Sequence, residues 1–457
     1  IRDSYRFDQG TAGGSNTGLT TVYDYSGNAN CGTLTNFALT GSTSNYVTGA
    51  VGSCNSITLM NSITGTTTAI VGSTTTLSNA TTNGTWSSTA TSVATVGSTG
   101  IVTGVSAGTT TISYTKCGVA ATTIVTVYAA AAGLAFDGSN DVIRVFDNSS
   151  LRLSNGAFTI EYWAKPTLVD GNFHWVVSKD NSNGDLDYLI GITSSNQWRF
   201  IARNLNVDII AGPTVTVGTW YHVACVFNGS LATLYINGTA VGTDNTVGTG
   251  VTNTANVLIG ARTSGAAIQF FAGSIDEVRI WNTARDCAQI AGYKDCELTG
   301  SESGLVAYYK FNQGGASGPN STVTTLNDAT TNAFNGTLLN FALTTGNSTS
   351  NWITPGGVTT GTSCSVVTYP VANIQGAGTN ITNGSVTPST TNNTDFGNVS
   401  TSGNRAITYT IQNTGTAALN LTGTPLVSIS GAAAADYSVT TMPSSSIAAS
   451  GTTCLLY

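Results

Sequence analysis

A stretch of 35 residues occurs twice in this chain, 304 positions apart. The first copy, YRFDQGTAGGSNTGLTTVYDYSGNANCGTLTNFAL, starts at Tyr5. The second, YKFNQGGASGPNSTVTTLNDATTNAFNGTLLNFAL, starts at Tyr309. They align without a gap, so that Tyr5 matches Tyr309, Asp24 matches Asp328 and Asn36 matches Asn340. Two extra residues then enter the second copy, and Tyr46 matches Trp352. A repeat at that distance predicts a modular array rather than one continuous core. The length of 457 residues points the same way, because a single core stops growing well short of it.

Charged residues are only 8% of the chain, and the polarity comes from Thr, Ser and Asn. Exposed helix faces would need Glu, Lys and Arg. Thr suits half-exposed strands, while Asn, Ser and the 53 Gly suit turns. The expected fold class is therefore all-β, built as tandem β-sandwiches. The net charge is −7, and the 15 Lys and Arg are scattered. Phosphate backbones demand clustered cations, so nucleic acid is not an expected partner. No apolar run approaches 18 residues, so no transmembrane segment is expected. The start at Ile1 fits a mature exported product or an excised piece.

Eight cysteines in so uncharged a β-chain suggest an oxidising compartment. In RDCAQIAGYKDCEL, Cys287 and Cys296 flank a short helical turn and are the first expected bridge. Cys31 and Cys54 share one segment and are the second. In YHVACVFNG, alternation puts Cys225 on an apolar strand face, where it reads as a buried free thiol.

Residues 65–127 read as short alternating runs punctuated by Gly, Asn and Ser, the pattern of a sandwich. The segment GTWSSTATSVATVGSTGIVTGVSAGTTTISY resembles the bacterial immunoglobulin-like group 2 module, which implies a spacer in a surface protein. VYAAAAG, residues 127–133, reads as a linker. LAFDGSNDVIRV, FTIEYWAKP, WVVSKD, GTWYHVACVFNGSLATLYINGTAVG and FFAGSIDEVRIWNTAR then follow in order. Together they resemble the laminin-G-like, concanavalin-type jelly roll of bacterial surface proteins, which implies two packed antiparallel sheets. DFGNVSTSGNRAITYTIQNTGTAALNLTG resembles the Hydin-like, choice-of-anchor immunoglobulin-like domain, with its last strands missing. The expected domains are 1–54 and 305–364, the two repeat copies; 55–128, immunoglobulin-like; 129–304, the jelly roll; and 365–457, Hydin-like. In jelly rolls of this family the repeat's text comes before the FDG strand, whereas here it follows. A permuted order is the expectation, with residues 305–352 folding back to complete the preceding jelly roll. The first copy has no such jelly roll before it, and its apolar face of Tyr5, Phe7, Phe37 and Leu39 should lack a partner.

Catalytic constellations are sparse. Neither His174 nor His222 has a nucleophile on a recognisable elbow, and both read as structural. Glycosidase chemistry needs two carboxylates across a cleft. Asp276 and Glu277 are neighbours, which strand alternation sends to opposite faces. The jelly-roll resemblance implies a structural calcium near Asp137, Asn140 and Asp276, since Ca²⁺ takes six to eight oxygens. Alternation puts Glu161, Trp163 and Lys165 on one strand face and Gln197, Arg199 and Arg203 on another. Such aromatic and polar residues can stack and hydrogen-bond a sugar, so Glu161, Trp163, Arg199 and Arg203 are the candidate glycan residues.

The expected function is a non-enzymatic, exported bacterial surface protein, a stalk, filament or adhesin built from β-modules. The resemblances imply the gliding-associated type IX export route. The alternative is a carbohydrate-binding accessory region of a larger secreted enzyme. The unpartnered repeat leaves two accounts open: a segment of a longer chain, or head-to-tail assembly of subunits. Calcium is the sole expected cofactor, and glycans and neighbouring modules or copies are the expected partners.

Overall fold

The computed structural model describes every residue except 1–4, 6, 27–29, 42–43, 47–59, 117, 155, 182–185, 246–247, 249, 251, 264–266, 365–369, 401–402, 450–451 and 457. The described residues are nearly all β. They divide into two units, Ile1–Ser363 and Cys364–Tyr457. Among them no helix is long and apolar enough to cross a membrane.

In the first unit, eight short strands between Thr64 and Tyr128 form two four-stranded sheets. Alternation does the work: along Gly108–Lys116, Thr110, Ile112 and Tyr114 turn inward. Ile112 meets Leu77, Val102, Val125 and Val127 in a small sealed core.

The jelly roll is larger. Its seven-stranded sheet contains Phe158–Pro166, Tyr221–Phe227 and the long strand Ala272–Trp281. Its eight-stranded sheet contains Val142–Val145, His174–Asp180, Leu186–Ile192, Trp198–Ala202 and Val207–Ala211. The two pack face to face, as Phe158 of one and Phe200 of the other show, ring centroids 6.2 Å apart and edge to face.

Neither sheet is completed by the residues before Gly304. Leu305–Tyr309 pairs antiparallel with Ala272–Trp281. Gly336–Leu339 pairs antiparallel with Val142–Val145, and Thr325–Leu326 pairs with Gly336–Leu339. Trp352 bridges Leu134 and is fully buried in the same core. The turn at 137–141 is gripped as well. Asn340 Nδ2 donates to the Asn140 carbonyl (3.0 Å), and Ser350 Oγ donates to Asp141 Oδ1 (3.0 Å). The text that follows the jelly roll thus forms part of both of its sheets.

The alanine run between the modules is fastened rather than loose. Ala131 N donates to Gly314 O, Ala316 N to Ala129 O, and Ala132 N to Ile353 O, each at 2.8–2.9 Å. Ala131 and Ala132 are buried.

The cysteine reading needs correction. Cys287 is a free, exposed thiol, and Cys296 is joined to Cys364. The reason is the helix Cys287–Tyr293, capped by reciprocal bonds between Asp286 and Gln289. The helix carries the chain about 9 Å along its axis from Cys287 to Tyr293, against the Cα separation of about 5.5–6 Å usual for a disulfide. Cys31 is disulfide-bonded. Cys54 lies outside the described residues. Cys225 is a buried free thiol in the jelly-roll core.

The second unit is a smaller sandwich. Thr379–Asn380, Ala372–Gly376, Thr408–Asn413 and Thr452–Leu456 form a four-stranded sheet in that order, with Leu419–Asn420 and Ser446–Ile447 as a second pair. Ile407, Tyr409, Ile411 and Ile447 make its core.

Alkylation without reduction should label Cys287 and leave Cys296 and Cys364 together in one linked peptide on mass mapping. A Cys287–Cys296 peptide would refute this arrangement. A second expectation concerns Asp141. Burial raises its carboxyl to about 6, against hydrogen bonds from Asp137 N and Ser350 that lower it. The folded state therefore takes up a proton before the unfolded chain does, so this group adds stability as pH falls through 6. The melting temperature of the wild type relative to Asp141→Asn should rise by about 2–4 °C between pH 7.5 and 5.

Candidate functional site

Glu161 and Trp163 do not form a surface. They lie under a cover, in a buried polar layer on the outer side of the seven-stranded sheet. On Ala272–Trp281 the residues Ile275, Val278 and Ile280 point into the core. Between them Glu277 takes a left-handed backbone, φ 53°, and the pairing with Phe158–Pro166 slips there. This bulge overturns the expectation of opposite faces: Asp276 and Glu277 both turn away from the core.

The layer is organised by one cation. Arg279 lies 2.6 Å from Glu277 Oε2 and 3.6 Å from Glu161 Oε1, and donates to the carbonyls of Tyr293 and Cys296. Tyr308 Oη donates to Glu277 at 2.6 Å, and Trp281 Nε1 to Glu161 at 3.0 Å. His222 Nε2 lies 3.2 Å from Glu161 Oε2. Burial pushes the Glu161 carboxyl up, but His222, Arg279 and Arg285 outweigh it and hold it at about 2. Burial lowers His222 and raises Glu277. Burial, then the charge of Glu277, raises Asp276 well above the usual carboxylate range, and Asp276 Oδ2 accepts from Val358 N at 3.0 Å. Trp163 Nε1 donates to the Lys294 carbonyl at 2.6 Å. Gly357 packs so close to Trp163 that a Cβ there would sit 2.4 Å from the Trp163 Cβ. Trp163 and Arg279 hold the post-helix segment, and Asp276 the 353–358 segment, down on the sheet.

The calcium trio is not brought together. Asp137 pairs with Ala272, four positions from Asp276, which is about 13 Å along the strand. Asp137 Oδ1 accepts from Ser139 N and Asn140 N, capping its own turn. His174 is structural, between the Phe270 carbonyl and Asp170.

Arg199 lies in the other sheet, so the two proposed glycan strands never share a face. Trp198 and Phe200 point inward, which sends Arg199 to the outer face of the eight-stranded sheet. Cross-strand register sets Ile210, Arg199, Gly191 and Trp175 in one row. Arg199 makes a two-pronged pair with Asp208, 2.8 and 2.6 Å, and lies 5.9 Å from the Phe173 ring centre. Phe173 stacks on Trp175, planes 5° apart. Arg203 has left the strand for a 3₁₀ turn, Arg203–Leu205. This aromatic and guanidinium–carboxylate group can meet the apolar face and hydroxyls of a sugar. Phe173, Asp208 and Ile210 were missed from sequence. The signal for Asp208 was its place opposite Ile201 and so diagonal to Arg199, in a hairpin turning at residues 203–206.

The family model of the concanavalin A-like lectin/glucanases superfamily matches residues 137–291, and that of the group 2 bacterial Ig-like domain matches residues 57–127. The jelly roll over residues 137–291 and the strands before it are thus a laminin-G-like and a bacterial Ig-like domain. No curated protein matches the chain. Among solved structures, a candidate carbohydrate-binding protein from Bacteroides ovatus is 17% identical, with 54% of this chain and 74% of that one covered and a TM-score of 0.36. A heptameric SAP-like pentraxin from Limulus polyphemus is 22% identical over 35% and 80%, at 0.30. A Ruminococcus gnavus sialidase CBM40 bound to sialyllactose is 16% identical over 35% and 94%, at 0.29.

Replacing Arg279 with Ala strands two buried carboxylates. It should destabilise the jelly roll by about 3–5 kcal/mol in denaturant titration, far more than an exposed arginine such as Arg203→Ala. Equal small losses for both would mean that the buried layer is not held together by this cation.

Proposed function

We propose that this chain is a non-catalytic, exported bacterial surface protein, a stalk, filament or adhesin, whose immunoglobulin-like and jelly-roll modules work in rigid series. The observation that carries the reading is the fastened junction. The Ala129–Gly133 run is hydrogen-bonded to Gly314, Ala316 and Ile353, so the immunoglobulin-like sandwich and the jelly roll are coupled through backbone bonds. Flexible tethers let modules search for ligands; a stitched one transmits orientation and force. The Cys296–Cys364 bridge supports residence in an oxidising compartment. The type IX route and a Hydin-like identity for the C-terminal unit belong to this reading. Antibody against the chain should label intact, unpermeabilised cells of its source; labelling that requires lysis would overturn it.

A second reading is favoured by the outer face of the eight-stranded sheet, where Phe173, Arg199 and Asp208 stand together. It makes the jelly roll a glycan-contacting module. On a glycan array the full chain should then bind neutral sugars, and Phe173→Ala or Arg199→Ala should weaken binding at least about tenfold. A blank array leaves the spacer role alone.

A further inference from the structure

The two repeat copies share one internal skeleton. Asn320 Nδ2 donates to Gly315 O and Asn351 Oδ1, and Gly315 N donates to Asn320 Oδ1. Asn16 makes the same three bonds with Thr11 and Asn45. Leu343 N donates to Ser350 O and Leu39 N to Ser44 O. The glycine packed beneath the terminal ring is repeated too: a Cβ would sit 2.3 Å from Trp352 at Gly314 and 2.3 Å from Tyr46 at Gly10. Asn340 and Asn36 both take a left-handed backbone, φ 68° and 63°. The described residues of the first copy are therefore folded as their counterparts in the second are.

Their surroundings differ. Tyr309 and Phe311 are fully buried, whereas Tyr5 is 42% and Phe7 67% exposed. Phe341 packs edge to face on Phe136 at 5.0 Å, whereas Phe37 is 53% exposed. Leu39, expected to be uncovered, is buried. Among the described residues, the hairpin Thr21–Val22 and Gly32–Thr33 stands as a two-stranded sheet, whereas its counterpart continues an eight-stranded one.

We infer that the first copy is a closing element for a second laminin-G-like jelly roll, distinct from the one in this chain, and that Phe7 and Phe37 form its docking face. The second copy shows what such a face covers. It pairs with Val142–Val145, sets Phe341 on Phe136, and grips the 137–141 turn through Asn340 and Ser350. The first copy retains each of these groups, as Phe37, Asn36 and Ser44. Its occupant is thus a sandwich with an open edge strand, an exposed aromatic ahead of that strand, and an aspartate-bearing turn between them. The jelly roll of this chain, or of a second copy, is excluded as occupant because its own repeat already fills that place.

The test exchanges the copies in the full chain, putting residues 5–46 in place of 309–352. The graft should remain monomeric and keep the jelly roll's cooperative melting transition. In the graft, Phe7→Asp at the new position should abolish that transition, as Phe311→Asp should in the native chain. Phe7→Asp in the native chain should move it by no more than about 2 °C. A graft that loses the transition overturns the inference, as does a graft that tolerates Phe7→Asp. In sedimentation the native chain should stay monomeric. Dimers that Phe7→Asp dissolves would make a second copy of this chain the occupant, and would overturn it also.

Discussion

Edge closure governs this molecule. An antiparallel sandwich with an open edge presents unpaired amides and carbonyls and a gap into its core. Here the strand Val142–Val145 has its outer edge covered only by Gly336–Leu339, nearly two hundred residues downstream. The same return buries Trp352 beside Leu134 and passes Gly314–Ala316 along the alanine run. One long-range pairing therefore closes a sheet, seals a core and fastens two modules. The entropy of that long closure grows only slowly with loop length, so the distance in sequence costs little beyond what a shorter loop would.

The buried polar layer follows from the same return. Tyr308, on the returning strand, reaches Glu277, and Val358 N reaches Asp276. Three carboxylates, one guanidinium and one imidazole lie within the protein, where isolated charges are costly. Arg279 makes the arrangement tolerable by sharing its donors between two carboxylates and two carbonyls. Such a group specifies how the cover seats on the sheet, because a shifted cover would leave charges unpaired.

Much of this was legible in the residues. Alternation marked the strands Gly108–Lys116 and Tyr221–Phe227, and Cys225 was placed correctly as a buried thiol. Reading residues 305–352 as a permuted piece of the jelly roll agrees with the pairing of Leu305–Tyr309 and Gly336–Leu339. The site readings fared otherwise. Glu161 and Trp163 look like a sugar platform by period, but period says which residues share a face and not what lies over it. Asp276 and Glu277 were separated by a rule that holds only for a regular strand, and a single left-handed residue reversed it.

The sequence by itself determined the class of fold, the bacterial Ig-like module ahead of the laminin-G-like one, and the kinship of the two repeats. Those depend on local periodicity, turn chemistry and text identity, all of which one strand carries alone. Only the tertiary structure decided that Leu39 of the first copy is buried while Phe7 and Phe37 are not, which cysteine Cys296 meets, and which polar residues are sealed from water. These depend on what packs against a face from far along the chain. Two copies with the same skeleton therefore differ at Phe7 and Phe311 as surface from core, because burial is a property of the neighbour and not of the residue.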